Sequence, residues 1–167
     1  MFAVLEIAAV MMVVIALVPV LAHALELPGK RRLDRDAYRT VQAIYYPGFT
    51  AAGGIGEAGG FLVLLALLLS TDPGGSAFGL TLAALVLLAM SHATYWVFTH
   101  PVNKFWLQDE KLGRLGAGFF AVGGEGEDMK QRGRSDWTAL RDRWETSHVI
   151  RAAFVLASLL ALLVAVA

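Results

Sequence analysis

Four long apolar segments leave this chain few folds to choose from. They lie at residues 2–25, 49–70, 77–100 and 146–166, and each carries at most two Lys, Arg, Asp, Glu or His residues. Each reaches the roughly 20 residues that a helix needs to cross a bilayer core. Lipid offers nothing to a backbone N–H or C=O, so a spanning segment satisfies those groups internally as a helix. The expectation is an all-α, four-helix transmembrane bundle forming one domain over 1–167. Composition agrees, with 57% hydrophobic residues and a mean hydropathy of +0.60.

Charge placement orients the bundle. Five of the fourteen Lys and Arg residues fill 30–39, eight lie between 104 and 143, and Arg151 follows. The link at 71–76 has none. Basic loops stay inside, so loops 28–48 and 101–145 are expected in the cytoplasm and both termini outside, as in a bacterial inner membrane. Ala22-His23-Ala24 looks like a signal-peptidase site. With no positive residue ahead of it and Glu6 within the segment, a retained helix is the better reading. A net charge of zero gives a nucleic-acid partner no support, and the absence of Cys removes disulfides and thiolate chemistry.

Local signals add detail. Pro19 should kink the first span near His23, and Pro28-Gly29 should end it. Asp34 can cap a short interfacial helix between spans one and two, with Leu33, Ala37, Val41 and Ile44 on its apolar side. Tyr45, Tyr46 and Phe49 suit an aromatic belt. Gly56 and Gly60 form a small-xxx-small pair. His100-Pro101 should end the third span. The Gly-rich stretch from Lys104 to Arg134 is expected to lack regular structure, with Phe119-Phe120 at the interface and Ser135 capping the last helix.

Ionisable groups gather at one end. With the spans alternating in direction, His23, Glu26, Glu57, His92, His100, His148 and Arg151 fall in the same half of the bilayer. Trp144, His148 and Arg151 lie on one helical stripe, and His92, Trp96, Thr99 and Asn103 on another. Glu57 is expected opposite His92. Buried ionisable groups in a membrane cost a few kcal/mol and face the bundle interior, so these two point to function. Blander readings stand beside this. His23, His100 and His148 suit solvated interfacial histidines, Glu26 and Arg151 suit an ion pair, and Trp96 and Trp144 suit belt positions.

Three chemistries remain open. His23, Glu26, Glu57, His92 and His148 form a ligand set for a transition metal such as Zn, Cu or non-haem Fe. Two His on different helices could hold haem b axially. The same groups could form an acid–base set, with Glu57, His92, His148, Arg151 and Asn103 catalytic and Trp96, Trp144, His100 and Tyr45 around a substrate. No compact metal motif, Walker loop or Rossmann fingerprint occurs.

Several of these residues recur in a known pattern. The run His23-Ala24-Leu25-Glu26-Leu27-Pro28-Gly29-Lys30, then Tyr45-Tyr46-Pro47-Gly48-Phe49, then Thr99-His100-Pro101-Val102-Asn103, then Arg143-Trp144-Glu145 with His148 and Arg151, resembles the anthrone-oxygenase-like membrane proteins. The resemblance covers nearly the whole chain. It implies a small four-span protein and, from the fungal members, oxidation of anthrones to anthraquinones by molecular oxygen. His100, Asn103, Trp144, His148 and Arg151 match the motif.

The resulting expectation is a membrane oxidoreductase acting on a hydrophobic aromatic or quinol-like molecule that enters from the lipid bilayer. The alternative is a non-catalytic subunit that binds haem, pigment or quinone, or simply fills a place as a homo-oligomer or in a larger membrane complex. A transporter is the weakest reading, since no inverted repeat is evident.

Overall fold

The computed structural model describes residues 2–106 and 136–167. These form α1 (Phe2–Lys30), α2 (Arg35–Tyr45), α3 (Gly48–Ser70), α4 (Ser76–Thr94), a π-turn (Tyr95–Thr99), α5 (His100–Trp106) and α6 (Trp137–Val166), with no strand among them. α1, α3, the run from α4 through Asn103, and α6 are each long and apolar enough to cross a membrane. The fold is therefore the expected all-α bundle, with α2 as the short helix between spans one and two.

α1 packs chiefly on α3 and α6, and α4 chiefly on α6. Ala9, Val13, Ala16, Val20, Leu64, Ala84, Leu88, Val155 and Leu162 form the shared interior. The outer faces are apolar as well: Val4, Ile7, Leu62, Leu69 and Val164 are all well exposed. Helices apolar all round need lipid or protein outside them. Within lipid, apolar burial gives little drive for association, so close packing carries more of it. Gly56 provides that closeness, because a Cβ there would lie 2.4 Å from the Ala16 backbone nitrogen. Gly60 does the same more mildly against Leu88 Cδ2, at 2.9 Å.

Helix boundaries depart from expectation at both Pro signals. α1 runs through Pro28 and ends after Lys30 rather than at Pro28-Gly29. A Pro in the last turn forfeits one backbone bond, and the extra turn carries Lys30 into a buried network described below. The third span likewise passes Pro101 and reaches Trp106. In α register the missing N–H of Pro101 would have met the Val97 carbonyl. That carbonyl instead accepts from Arg143 Nη2 at 2.8 Å. The chain crosses this point in a π-turn, with His100 N–H donating to the Tyr95 carbonyl.

α2 starts as expected, with Asp34 Oδ1 accepting from Ala37 N–H at 2.9 Å. The face it turns to the bundle is different. Tyr38 and Gln42 are buried, whereas Ile44 is 73% exposed. Hydrogen bonding decides this orientation, because Tyr38 Oη donates to Glu145 Oε1 at 2.8 Å. The region between spans three and four is helical at both ends, through α5 and the first turns of α6. Phe119, Phe120 and Ser135 lie outside the described residues.

Candidate functional site

One end of the bundle holds a cavity of about 220 Å³. α1 contributes Pro19 and His23 to its wall, α2 Gln42 and Tyr45, α3 Phe49 and Glu57, and α4 His92. The π-turn adds Tyr95, α5 adds Asn103 and Trp106, and α6 adds Trp144, His148 and Arg151. The antiparallel run of the spans explains this convergence. The C-terminal ends of α1 and α4 meet the N-terminal ends of α3 and α6.

At one side, Glu57 bridges two helices. Its Oε1 accepts from Arg151 Nη2 at 2.5 Å and its Oε2 from His92 Nδ1 at 2.7 Å. Glu57 and Arg151 are both buried, with side chains 7% exposed. The expected Glu57–His92 meeting is therefore present. The expected pairing of Glu26 with Arg151 is not, because Arg151 turns to Glu57 and Glu26 to Lys30. Arg151 also lies over the Tyr95 ring, 5.1 Å from its centroid.

The partners fix the imidazole tautomers. Lys30 Nζ donates to His23 Nδ1 at 2.7 Å, so the proton of a neutral His23 sits on Nε2. His148 is the reverse. Its Nδ1 is 2.9 Å from the Trp144 carbonyl, which can only accept, so the lone pair of a neutral His148 sits on Nε2. His92 is occupied at both nitrogens, with Nδ1 on Glu57 and Nε2 accepting from Trp96 Nε1 at 2.8 Å. The His23 and His148 rings meet edge to face with centroids 4.4 Å apart.

Asn103 ties α5 to α6 and to the π-turn. Its Oδ1 accepts from Trp144 Nε1 at 2.7 Å, and its Nδ2 donates to Tyr95 Oη at 3.4 Å. Thr99 and Ser147 join the same two helices through their hydroxyls at 2.7 Å. Trp144 lies tilted on His148 at 4.1 Å and edge-on to His23 at 4.8 Å.

A second network lies beside the cavity and touches its wall at His23 and Tyr45. Buried Lys30 reaches Glu26 Oε2 at 3.1 Å and Glu145 Oε1 at 3.4 Å. Tyr45 Oη donates to Glu26 Oε2 at 2.5 Å. Burial pushes the Tyr38 hydroxyl well above the usual tyrosine range, and the Glu145 carboxylate pushes the same way. Burial, then the bond to Glu26, raises the Tyr45 hydroxyl too. Both phenols stay protonated donors at neutral pH.

The structure thus brings together Glu57, His92, His148, Arg151, Asn103, Trp144, His23 and Tyr45. It does not bring Trp96 and His100 to the cavity. The π-turn puts Tyr95 there instead, leaving Trp96 47% exposed with His100 against it at 4.7 Å. Tyr45 and Phe49, expected in an aromatic belt, pack on His23 at 4.6 and 5.2 Å. The arrangement lends no support to the metal-ligand reading of His23, Glu26, Glu57, His92 and His148. No group of three potential ligands capable of holding a metal ion occurs among the described residues. Glu57 is spent on Arg151 and His92, and Glu26 on Lys30 and Tyr45.

Sequence reasoning missed Lys30, Tyr38, Gln42, Tyr95 and Trp106. A signal for Lys30 existed. It stands at i+4 from Glu26 and i+7 from His23, one helical stripe, but Pro28-Gly29 masks it by signalling a helix stop.

The sequence model of a family described as anthrone oxygenase matches residues 42–161. The chain belongs to the anthrone oxygenase family. No curated protein and no solved structure matches it. The span matched to the anthrone oxygenase family takes in Gln42, Glu57, His92, Asn103, Trp144, His148 and Arg151, whereas His23, Glu26, Lys30 and Tyr38 lie before it.

Proposed function

We propose that this protein oxidises a flat, hydrophobic aromatic substrate of the anthrone type with molecular oxygen, inside the cavity between α1, α3, α4 and α6. The observation that carries the reading is the joint placement of His148 and Arg151 one helical turn apart in the same aromatic-walled cavity. One supplies a lone pair and the other a fixed positive charge. Family membership supports the oxygenase chemistry.

The roles follow from the bonds. His148 Nε2 takes a proton from the activated ring methylene. The electron pair left behind delocalises onto the ring carbonyl oxygen, giving an enolate. Arg151 stabilises that oxygen. Its Nη2 is committed to Glu57, but its Nε is buried and has no partner among the described residues. Such a donor aimed at developing charge is worth most where water is excluded. The enolate passes one electron to O2, the radical pair combines, and a C–O bond forms. The resulting peroxide takes a proton from His148. Loss of the second methylene proton with O–O cleavage then leaves a carbonyl and releases water. One CH2 and one O2 become one C=O and one H2O, with no further reductant.

This assignment moves the base away from Glu57 and His92. Glu57 holds Arg151 in place, and His92 is held at both nitrogens. Trp144 and Tyr45 provide ring faces for the substrate. Loops 28–48 and 101–145 on the cytoplasmic side complete the reading, by the positive-inside rule.

The test is oxygen uptake by the purified chain in lipid nanodiscs supplied with anthrone. The expected result is one O2 consumed per anthraquinone formed, without hydrogen peroxide release. Hydrogen peroxide in place of water, or uptake no faster than in empty nanodiscs, would contradict it.

A further inference from the structure

Two buried donors at the far end of the cavity have no role in that chemistry. Gln42, 5% exposed, and Trp106, 4% exposed, both line the cavity. Gln42 Nε2 and Trp106 Nε1 each lack a hydrogen-bond partner among the described residues. An N–H buried without a partner is destabilising and rare, so such groups call for a reason. Here they come as a pair at one place. Tyr38 connects them, with its ring 4.9 Å from that of Trp106 and Gln42 one turn further along α2.

Their distance from the reacting end matters. Trp106 stands one turn beyond Asn103, whose Oδ1 holds the Trp144 ring that lies on His148, so the pair sits on the order of 10 Å from the base. The cavity therefore has two polar poles with an aromatic middle. Glu57, His92 and Arg151 form one, and Gln42 with Trp106 forms the other. The middle is walled by Trp144, His23 and Tyr45.

We infer that Gln42 and Trp106 form a specificity subsite that binds a hydrogen-bond-accepting oxygen on the substrate, at the end remote from the reacting carbon. The inference rests on the proposed function for the presence of an aromatic substrate, and adds what that substrate must carry. Neutral N–H donors select a carbonyl, ester or ether oxygen. The Trp106 donor is directional because its ring is packed against Tyr38 and Phe105. The Gln42 amide can rotate to meet it.

Equilibrium binding of two non-reacting probes in nanodiscs tests this: 2-acetylanthraquinone, and 2-ethylanthraquinone of nearly the same shape but without the side-chain oxygen. The wild-type chain is expected to favour the acetyl probe by about tenfold. Gln42→Leu and Trp106→Phe should each cut that preference to about threefold or less while leaving the ethyl probe's affinity unchanged, which also reports that the cavity is intact. Equal affinity for both probes in the wild type overturns the inference, as does a preference that survives both substitutions. Failure of the wild type to bind either probe overturns it as well. Oxygen uptake with anthrone is scored separately. Loss of uptake with the probe preference intact sinks the oxygenase reading and leaves the subsite standing.

Discussion

His148→Gln is expected to lower kcat for anthrone oxidation by about 10²–10⁴-fold, the usual contribution of a positioned general base. Affinity for 2-ethylanthraquinone should change little, because that ligand asks nothing of a base. The Trp144 carbonyl sets the tautomer. It accepts the Nδ1 proton of His148 at 2.9 Å, which leaves the basic lone pair on Nε2. A glutamine of similar reach can hold the carbonyl bond but cannot take a proton. The pH profile separates the roles. In the wild type kcat/KM should fall on the acid side as the base becomes protonated, and in the variant the small residual rate should lose that limb. A variant with wild-type kcat would move the base elsewhere in the cavity.

The second large effect concerns stability. Glu57→Leu leaves Arg151 buried without its carboxylate and His92 without its acceptor. Breaking a buried pair from one side typically costs about 3–5 kcal/mol, because the remaining charge has no water and no partner. The expected observation is a matching loss in an SDS-denaturation titration of the micelle-bound chain. Replacing both members, as Glu57→Leu with Arg151→Leu, should recover most of that loss, since two apolar groups of fitting size carry no desolvation penalty. Activity should not recover, because the double variant lacks the guanidinium proposed to face the enolate. A double variant no more stable than the single one would show that the pair is not mutually dependent.

Much of this is legible in the amino-acid sequence. Twenty-residue apolar segments fix the bundle, because the membrane restricts backbone choices so severely. Alternating direction along those segments places Glu57 beside His92, as the structure has them. The errors share one physical origin. Pro28 and Pro101 signal helix stops, yet each lost bond is cheap here. Pro28 falls in the last turn of α1, and the Val97 carbonyl left by Pro101 is taken by Arg143. Reading past them would have placed Lys30 on the His23 stripe and Trp106 on the third span.

The π-turn was not legible, because one inserted residue per turn has no periodic signature. It exchanged Trp96 for Tyr95 at the cavity. The burial of Gln42 was equally hidden. α2 rolls so that Tyr38 can reach Glu145, a contact across 107 residues that no local pattern encodes.

Groups from all four spans enclose one cavity, which on the proposed function holds a flat aromatic molecule. Photolabelling with an irradiated anthraquinone probe, followed by peptide mapping, tests it most directly. Labels concentrated on Tyr45, Phe49, Trp144 and Pro19, and suppressed by excess 2-acetylanthraquinone, are the predicted result. Labels spread over the outward-facing Ile55, Leu62 and Leu160, and unaffected by competitor, would contradict it.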